Sequence, residues 1–275
     1  MTSACATAAG RGEVDVRRGP DGRSRVVQAY ATSPLRLLTP TNHGPAAWIY
    51  TSSYGGGLVD GDAVSLDVAI GDGASAFVST QASTKVYRSG RGTESRLRAH
   101  VARDGLLFLV PDPVVCFAGA RYRQSQSVQL GPGAGLVLVD WVTSGRRAAG
   151  ERWQFEEYVA HTEVTAGGRR ALHDTLSLRA VHGDLHARLG RFDVLALVVI
   201  AGAPFEQPAA AVLGRAADTP LSRRADLLIS TAPIRTGGCV IRIAGRSVEA
   251  VAPVIERALD FVPAVLGDNP WSRKW

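Results

Sequence analysis

Two short polar segments carry the residue types in this chain best suited to chemistry. The first is Gly56-Gly57-Leu58-Val59-Asp60-Gly61-Asp62, and 22 residues later comes Thr84-Lys85-Val86-Tyr87-Arg88-Ser89. Asp60 and Asp62 could serve as an acid/base pair, as in polysaccharide-degrading β-helix enzymes. Carboxylates in glycine-rich turns also accept backbone N–H bonds, which is the purely structural role for the same two residues. Gly56, Gly57 and Gly61, with Gly73 beyond them, permit backbone conformations that a Cβ forbids and mark tight, closely packed corners. Thr84, Lys85, Tyr87 and Arg88 supply charge opposite to that of the aspartates, so both segments could share one site.

Other chemistry-bearing residues are sparse. His182 and His186 stand four apart, a spacing that on a helix would put two imidazoles on one face, suited to nickel or zinc. Gly183 and Asp184 between them disfavour a helix, which makes a turn with solvated histidines, His173 nearby, the competing reading. Cys116 sits among apolar neighbours and reads as a buried structural thiol. Arg146-Arg147, Arg169-Arg170 and Arg223-Arg224 read as solvated loop charges. There is no Gly-x-x-x-x-Gly-Lys phosphate loop, no His-Glu-x-x-His and no Gly-x-Ser-x-Gly, so nucleotide hydrolysis by this chain is not expected.

The elements that must position these residues are mostly strands. Four stretches align on a glycine: 66–78, 99–110, 128–139 and 163–172. Each reads as an alternating strand, a turn and a second strand. The aligned glycines Gly73, Gly105, Gly133 and Gly168 are 32, 28 and 35 residues apart. Self-similarity at this period points to stacked β architecture, against the alternative of unrelated hairpins in a sandwich. The expected fold is mainly β, an irregular β-helix or solenoid-like stack of long strands, with about two α-helices in the C-terminal third. There, Phe192 to Ile200 reads as a strand buried on both faces and Glu206 to Ala217 as a helix. Asp226 to Ser230 and Cys239 to Ile243 read as short strands. Val248, Val251, Ile255, Leu259 and Val262 recur at helical spacing behind Ser247 as N-cap. One domain over 1–275 is expected, with 1–12 and 268–275 as flexible tails.

Composition narrows the function. Hydrophobic residues make up 45% of the 275, and no run reaches the roughly 18 apolar residues of a membrane helix. The N-terminus lacks the apolar core of a secretory signal. Three widely spaced cysteines, Cys5, Cys116 and Cys239, make neither a disulfide framework nor a zinc pair, and suit a reducing, cytoplasmic setting. The net charge of +6 rests almost wholly on arginine, scattered in ones and twos. Without a basic run, nucleic-acid binding is not expected, while an acidic protein partner fits better.

Three ordered motifs then resemble one family. They are the opening pair of segments, then Pro111-Asp112-Pro113 with Phe117-Ala118-Gly119-Ala120-Arg121-Tyr122-Arg123-Gln124, and Asp140-Trp141-Val142-Thr143-Ser144-Gly145-Arg146 with Gly150-Glu151. From Gly55 to Glu151 the chain resembles the UreD (also called UreH) urease accessory proteins. It departs from the commoner wording at Asp60 (usually Gly), Val86 (usually Phe) and Tyr54 (usually Pro). The resemblance implies a non-catalytic scaffold of urease maturation with an irregular β-helical fold. The implied partners are UreF, the GTPase UreG through UreF, and the urease apoprotein. It implies no tightly bound cofactor, with nickel as transient cargo moving through an internal water-filled passage. By position, Asp62 and Thr84 fall among the residues associated with that passage. A conduit must release its cation, which oxygen ligands and water allow better than a His/Cys cage, and this chain has no clustered His/Cys set. The alternative is a β-helix enzyme acting on acidic polysaccharides through Asp60 and Asp62.

Overall fold

Three of the four glycine-aligned stretches turn a corner between two sheets, while the fourth folds back on itself. The computed structural model describes residues 9–41, 43–217, 222, 224–235 and 237–273. Its first strands are β1 (Ala9–Arg18), β2 (Ser24–Ala31), β3 (Leu35–Leu38), β4 (Ala47–Ser53), β5 (Ala63–Ile70) and β6 (Ser75–Thr80). Next come β7 (Thr84–Val86), β8 (Thr93–Val101), β9 (Leu106–Leu109), β10 (Val114–Cys116), β11 (Arg121–Leu130) and β12 (Gly135–Thr143). The last are β13 (Glu157–Ala166), β14 (Arg169–Arg179), β15 (Val194–Ala201), β16 (Leu227–Pro233) and β17 (Gly238–Gly245). The helices are α1 (Leu185–Leu189), α2 (Glu206–Ala217), α3 (Val248–Ala258) and α4 (Val262–Leu266).

The protein is mainly β. One sheet runs β14-β13-β11-β8-β5-β1-β2, and the other runs β16-β17-β15-β12-β9-β6-β4-β3, with β10 and β7 attached beside β12. In the first sheet β1, β5, β8, β11 and β13 are parallel neighbours. In the second, β4, β6, β9 and β12 are parallel neighbours. The pairs β5–β6, β8–β9 and β11–β12 thus each give one strand to either sheet, and each pair stacks beside the last.

Strand register corrects the sequence alignment of the corners. Ser75 pairs with Leu106 and Leu106 with Gly135, which puts Asp104, not Gly105, in one column with Gly73 and Gly133. These three residues share a left-handed backbone, with φ of 60°, 54° and 68°. Aspartate is among the few residues whose short polar side chain tolerates that region, so the column need not be all glycine. The corners also continue the ladder: the Gly73 amide donates to the Arg103 carbonyl at 2.8 Å and the Asp104 amide to that of Pro132 at 2.9 Å.

The fourth stretch is a different object. β13 and β14 pair antiparallel within one sheet. Gly167 and Gly168 both take positive φ, 55° and 71°, as a two-residue hairpin turn that matches strand twist requires.

Both expected tails need correction where the structure describes them. Residues 1–8 lie outside the described residues, but Ala9–Gly12 are the start of β1, paired with β2 and β5. Two glycines in four residues hide that strand, since glycine weakens strand propensity. Gly12 is needed because a Cβ there would lie 2.6 Å from Leu35 Cδ2. At the other end Pro270 is buried and Trp271 packs on the core. The expected helix from Val248 to Val262 is broken after Ala258 and restarts as α4 with Pro263 in its first turn, where a missing N–H costs nothing. Ser247 caps α3, its hydroxyl accepting from the Ala250 amide at 3.3 Å.

Apolar side chains fill two layers. Leu66, Val68, Leu107, Val128, Leu136 and Val199 belong to the layer between the sheets. Trp48, Phe77, Phe108, Val137, Ile255 and Leu259 belong to the layer between the second sheet and the helices. A third cluster around Tyr122, Trp153, Phe155 and Tyr158 closes one end. No helix among the described residues is long and apolar enough to cross a membrane.

Candidate functional site

The two opening segments do meet, through their backbones. The Leu58 amide donates to the Lys85 carbonyl at 2.8 Å and the Tyr87 amide to the Leu58 carbonyl at 2.9 Å, making a parallel bridge between Leu58 and Val86. Gly57 is there because of close approach: a Cβ would sit 2.7 Å from both the Lys85 carbonyl oxygen and the Tyr87 ring. Gly56, Gly61 and Gly73 take φ of 75°, 87° and 60°.

The side chains then diverge, which corrects the idea of one shared cavity. Asp62 accepts from the Val59 amide at 2.8 Å and lines an outer cleft with Arg91, Arg121 and Arg179. Asp60 faces solvent, accepting from the Arg91 amide at 2.7 Å and its guanidinium at 3.2 Å. The Arg91 amide, with the guanidinium, holds the Asp60 carboxyl below its usual range. Both aspartates are therefore spent on turn and ion-pair contacts, and neither is presented as an acid/base partner. Thr84 lines a different cavity, together with the buried Leu58. Lys85 is exposed, and Arg88 packs beside Gly119.

Tyr87 stands edge-on to Phe117, with ring centroids 5.0 Å apart, and the Arg146 guanidinium lies over the Phe117 ring, 4.2 Å from its centroid. Glu151 pairs with Arg146 and accepts from the Ala118 amide at 3.2 Å. The Arg146 guanidinium, with that amide, lowers the Glu151 carboxyl pKa. The three motifs thus meet at one end of the stack, and Arg146 is not a free loop charge. Neither is its neighbour: Arg147 pairs with Asp193 at 3.0 Å, and Arg152 pairs with the same carboxylate. Arg170 pairs with Glu163, while Arg223 lies outside the described residues.

Thr84 opens onto a chamber of about 200 Å³ between the sheets, mainly apolar in its lining but carrying a run of polar side chains, and roomy enough for several waters. Its rim includes the exposed Gly56 and Ala82, and its interior wall includes Thr80, Asp112, Gln124, Gln126 and Asp140. Thr80 is held against Asp112, whose amide donates to its hydroxyl at 2.7 Å. Deeper in, Gln124 donates to Asp140 Oδ1 at 2.6 Å and the Tyr158 hydroxyl donates to the same oxygen at 3.4 Å. Tyr122 donates to Gln124 Oε1 at 3.3 Å. Asp140 comes from β12 in the second sheet and its donors from β11 and β13 in the first, so this cluster links the two layers. Burial pushes the Asp140 carboxyl up to about 6, against the opposing effect of its two donors. Asp140 and Trp141 also line a second, larger cavity of about 690 Å³ towards β14 and β16.

Sequence reasoning passed over Asp140, Gln124 and Tyr158 as site residues. The signal was present: inward positions Leu136, Leu138 and Val142 are apolar, and a carboxylate at 140 breaks the row inside a strand buried from end to end. The histidine pair comes apart. His182 ends a short 3-10 turn, and Asp184 caps α1, accepting from the His186 amide. The His186 ring faces the Arg152 guanidinium at 3.2 Å, a cation where a metal would need room. Among the described residues no group of three or more His, Cys, Asp and Glu is placed to hold a metal ion. Cys116 is buried, and burial raises its thiol pKa, as expected of a structural cysteine.

Comparison with known proteins agrees with the motifs. The family described as UreD urease accessory protein matches residues 8–275. The urease accessory protein UreD of Sorangium cellulosum is 50% identical over 267 residues, covering 97% of this chain and 85% of that protein. The protein of the same name from Anaeromyxobacter is 45% identical, covering 96% and 89%. Urease accessory protein D of Arabidopsis thaliana is 34% identical, covering 91% and 96%.

Proposed function

Because the chain belongs to the UreD urease accessory protein family, we propose that it is a non-catalytic scaffold that hands nickel to urease through the chamber between its sheets. The observation that carries this reading is convergence. Thr84 from the first motif, Asp112 and Gln124 from the second, and Asp140 from the third line one cavity that deepens from the surface to a buried carboxylate. Water and single oxygen ligands spaced along a wall let a divalent cation exchange from one to the next. A closed cage of nitrogen and sulfur would hold it. Asp140 supplies the negative charge that offsets part of the desolvation a cation suffers inside protein. On this reading the two parallel stacks are the coils of an irregular β-helix, and the interior between the coils is the passage.

The partners are UreF, UreG through UreF, and the urease apoprotein, in a cytoplasmic complex. The Tyr87, Phe117 and Arg146 cluster, at the end where the motifs meet, is the surface suited to them, since rigid aromatics and arginine dominate binding hot spots. A tagged full-length chain should co-purify with UreF and urease, and Arg146→Ala should lower retention at least tenfold. Retention unchanged in that variant, or no co-purification of the wild type, would refute the docking assignment.

A further inference from the structure

The second cavity has a closure that the scaffold reading does not require. Asp140, Leu197, Arg242 and Ser230 occupy one row across β12, β15, β17 and β16. Arg242 is therefore two strands from Asp140, roughly 10 Å away. Asp174 pairs with Thr162 on the facing sheet and lies on edge strand β14. The Arg242 guanidinium reaches across and pairs with Asp174, joining β17 of the second sheet to edge strand β14 of the first. Both residues line that cavity, together with Trp141, Leu176 and Leu228. The rest of the lining is largely apolar apart from Asp140, Thr175, Ser222 and Ser230, and Arg242 is the one basic side chain among the described residues that line it.

We propose that Arg242 and Asp174 form a latch over this inner chamber, shut as seen here and opened when a cation is to pass Asp140. The proposal rests on the passage reading and adds its control. In the shut state Arg242 neutralises Asp174, so a divalent cation meets no free carboxylate on that side of the chamber. The Asp174 side chain is 16% exposed, but that of Arg242 is 52% exposed, so the arginine can swing into water without being desolvated or trapped. Ion pairs with one partner so exposed are weak, which suits a contact that must open repeatedly. Once Arg242 leaves, Asp174 is a second carboxylate facing the chamber opposite Asp140.

Trp141 lines both cavities and reports on cation entry. The full-length chain labelled with 5-fluorotryptophan is titrated with nickel(II) sulfate, and paramagnetic broadening of the Trp141 fluorine signal, assigned with Trp141→Phe, is followed. Arg242→Ala should broaden the signal at a nickel concentration at least tenfold lower than wild type, Arg242→Lys should behave nearly as wild type, and magnesium should broaden nothing. Arg242→Gln, which keeps the arm of the side chain, replaces Arg242→Ala if that variant fails to fold. Equal broadening in wild type and the Arg242 variants would overturn the latch while leaving the passage standing. No broadening in any of them would remove the passage itself, and the latch with it.

Discussion

Replacing Asp193 by alanine will destabilise the protein by about 3 kcal/mol, seen as a urea midpoint lowered by roughly 1 M at an unchanged slope. Asp193 is 3% exposed and lies just before β15. Its carboxylate receives Arg152 and Arg147, its carbonyl accepts from the Ser144 amide at 2.7 Å, and its own amide donates to Gly245 at 2.9 Å. It therefore ties the end of β12, the start of β15, the end of β17 and the third motif's loop. Removing the carboxylate leaves Arg152, 24% exposed at its side chain, without its counter-charge. Breaking one side of a buried pair costs 3–5 kcal/mol, and the partial exposure of Arg152 places this case near the lower end. Arg147→Ala should cost under about 1 kcal/mol, because that side chain is 60% exposed. A loss below about 1 kcal/mol for Asp193→Ala would show that backbone contacts alone hold these segments.

Asp140→Asn should make the protein more stable at neutral pH, by up to about 3 kcal/mol. The Asp140 carboxyl is raised from its ordinary value of 3.8 to about 6 because burial penalises its charge. Its protonated form is thus favoured by folding, so its contribution is fully present below about pH 4 and is lost as pH rises to about 6. The stability difference between wild type and Asp140→Asn should open across that window and stay constant above it. Asparagine can still accept from Gln124 and Tyr158, so the comparison isolates the charge. Urea unfolding of both proteins from pH 4.5 to 8 measures this, and a difference independent of pH would contradict it. A carboxylate kept inside at such a cost fits a residue retained for function rather than for folding.

What was legible in the sequence follows from periodicity. The first three strand–turn–strand units were visible because Val64, Leu66, Val68 and Ile70, and their counterparts, alternate cleanly. The fourth looked the same locally, since a corner and a hairpin differ only in which sheet receives the second strand. That choice is made by pairing with distant strands. Asp104 was displaced by one place for a similar reason: the eye aligns glycine with glycine, while the backbone aligns left-handed residues. β15, all apolar, and α2 were read at nearly their observed bounds. In the site, the three motifs pointed to the right residues but not to their faces. A turn sets whether Asp62 faces the cavity or the outer cleft, and its carboxylate, accepting from the Val59 amide, sits at the cleft. The Asp140 cluster joins residues 16 to 34 positions apart, a convergence no single segment reveals.

Nickel incorporation into urease apoprotein, measured by metal content and urea hydrolysis with the purified accessory proteins, is the sharpest test. Asp140→Leu and Thr84→Lys, which put an apolar and a cationic side chain into the chamber, should each cut incorporation at least tenfold while co-purification with UreF and urease stays intact. Incorporation at the wild-type level in both variants would mean that nickel does not travel between these sheets.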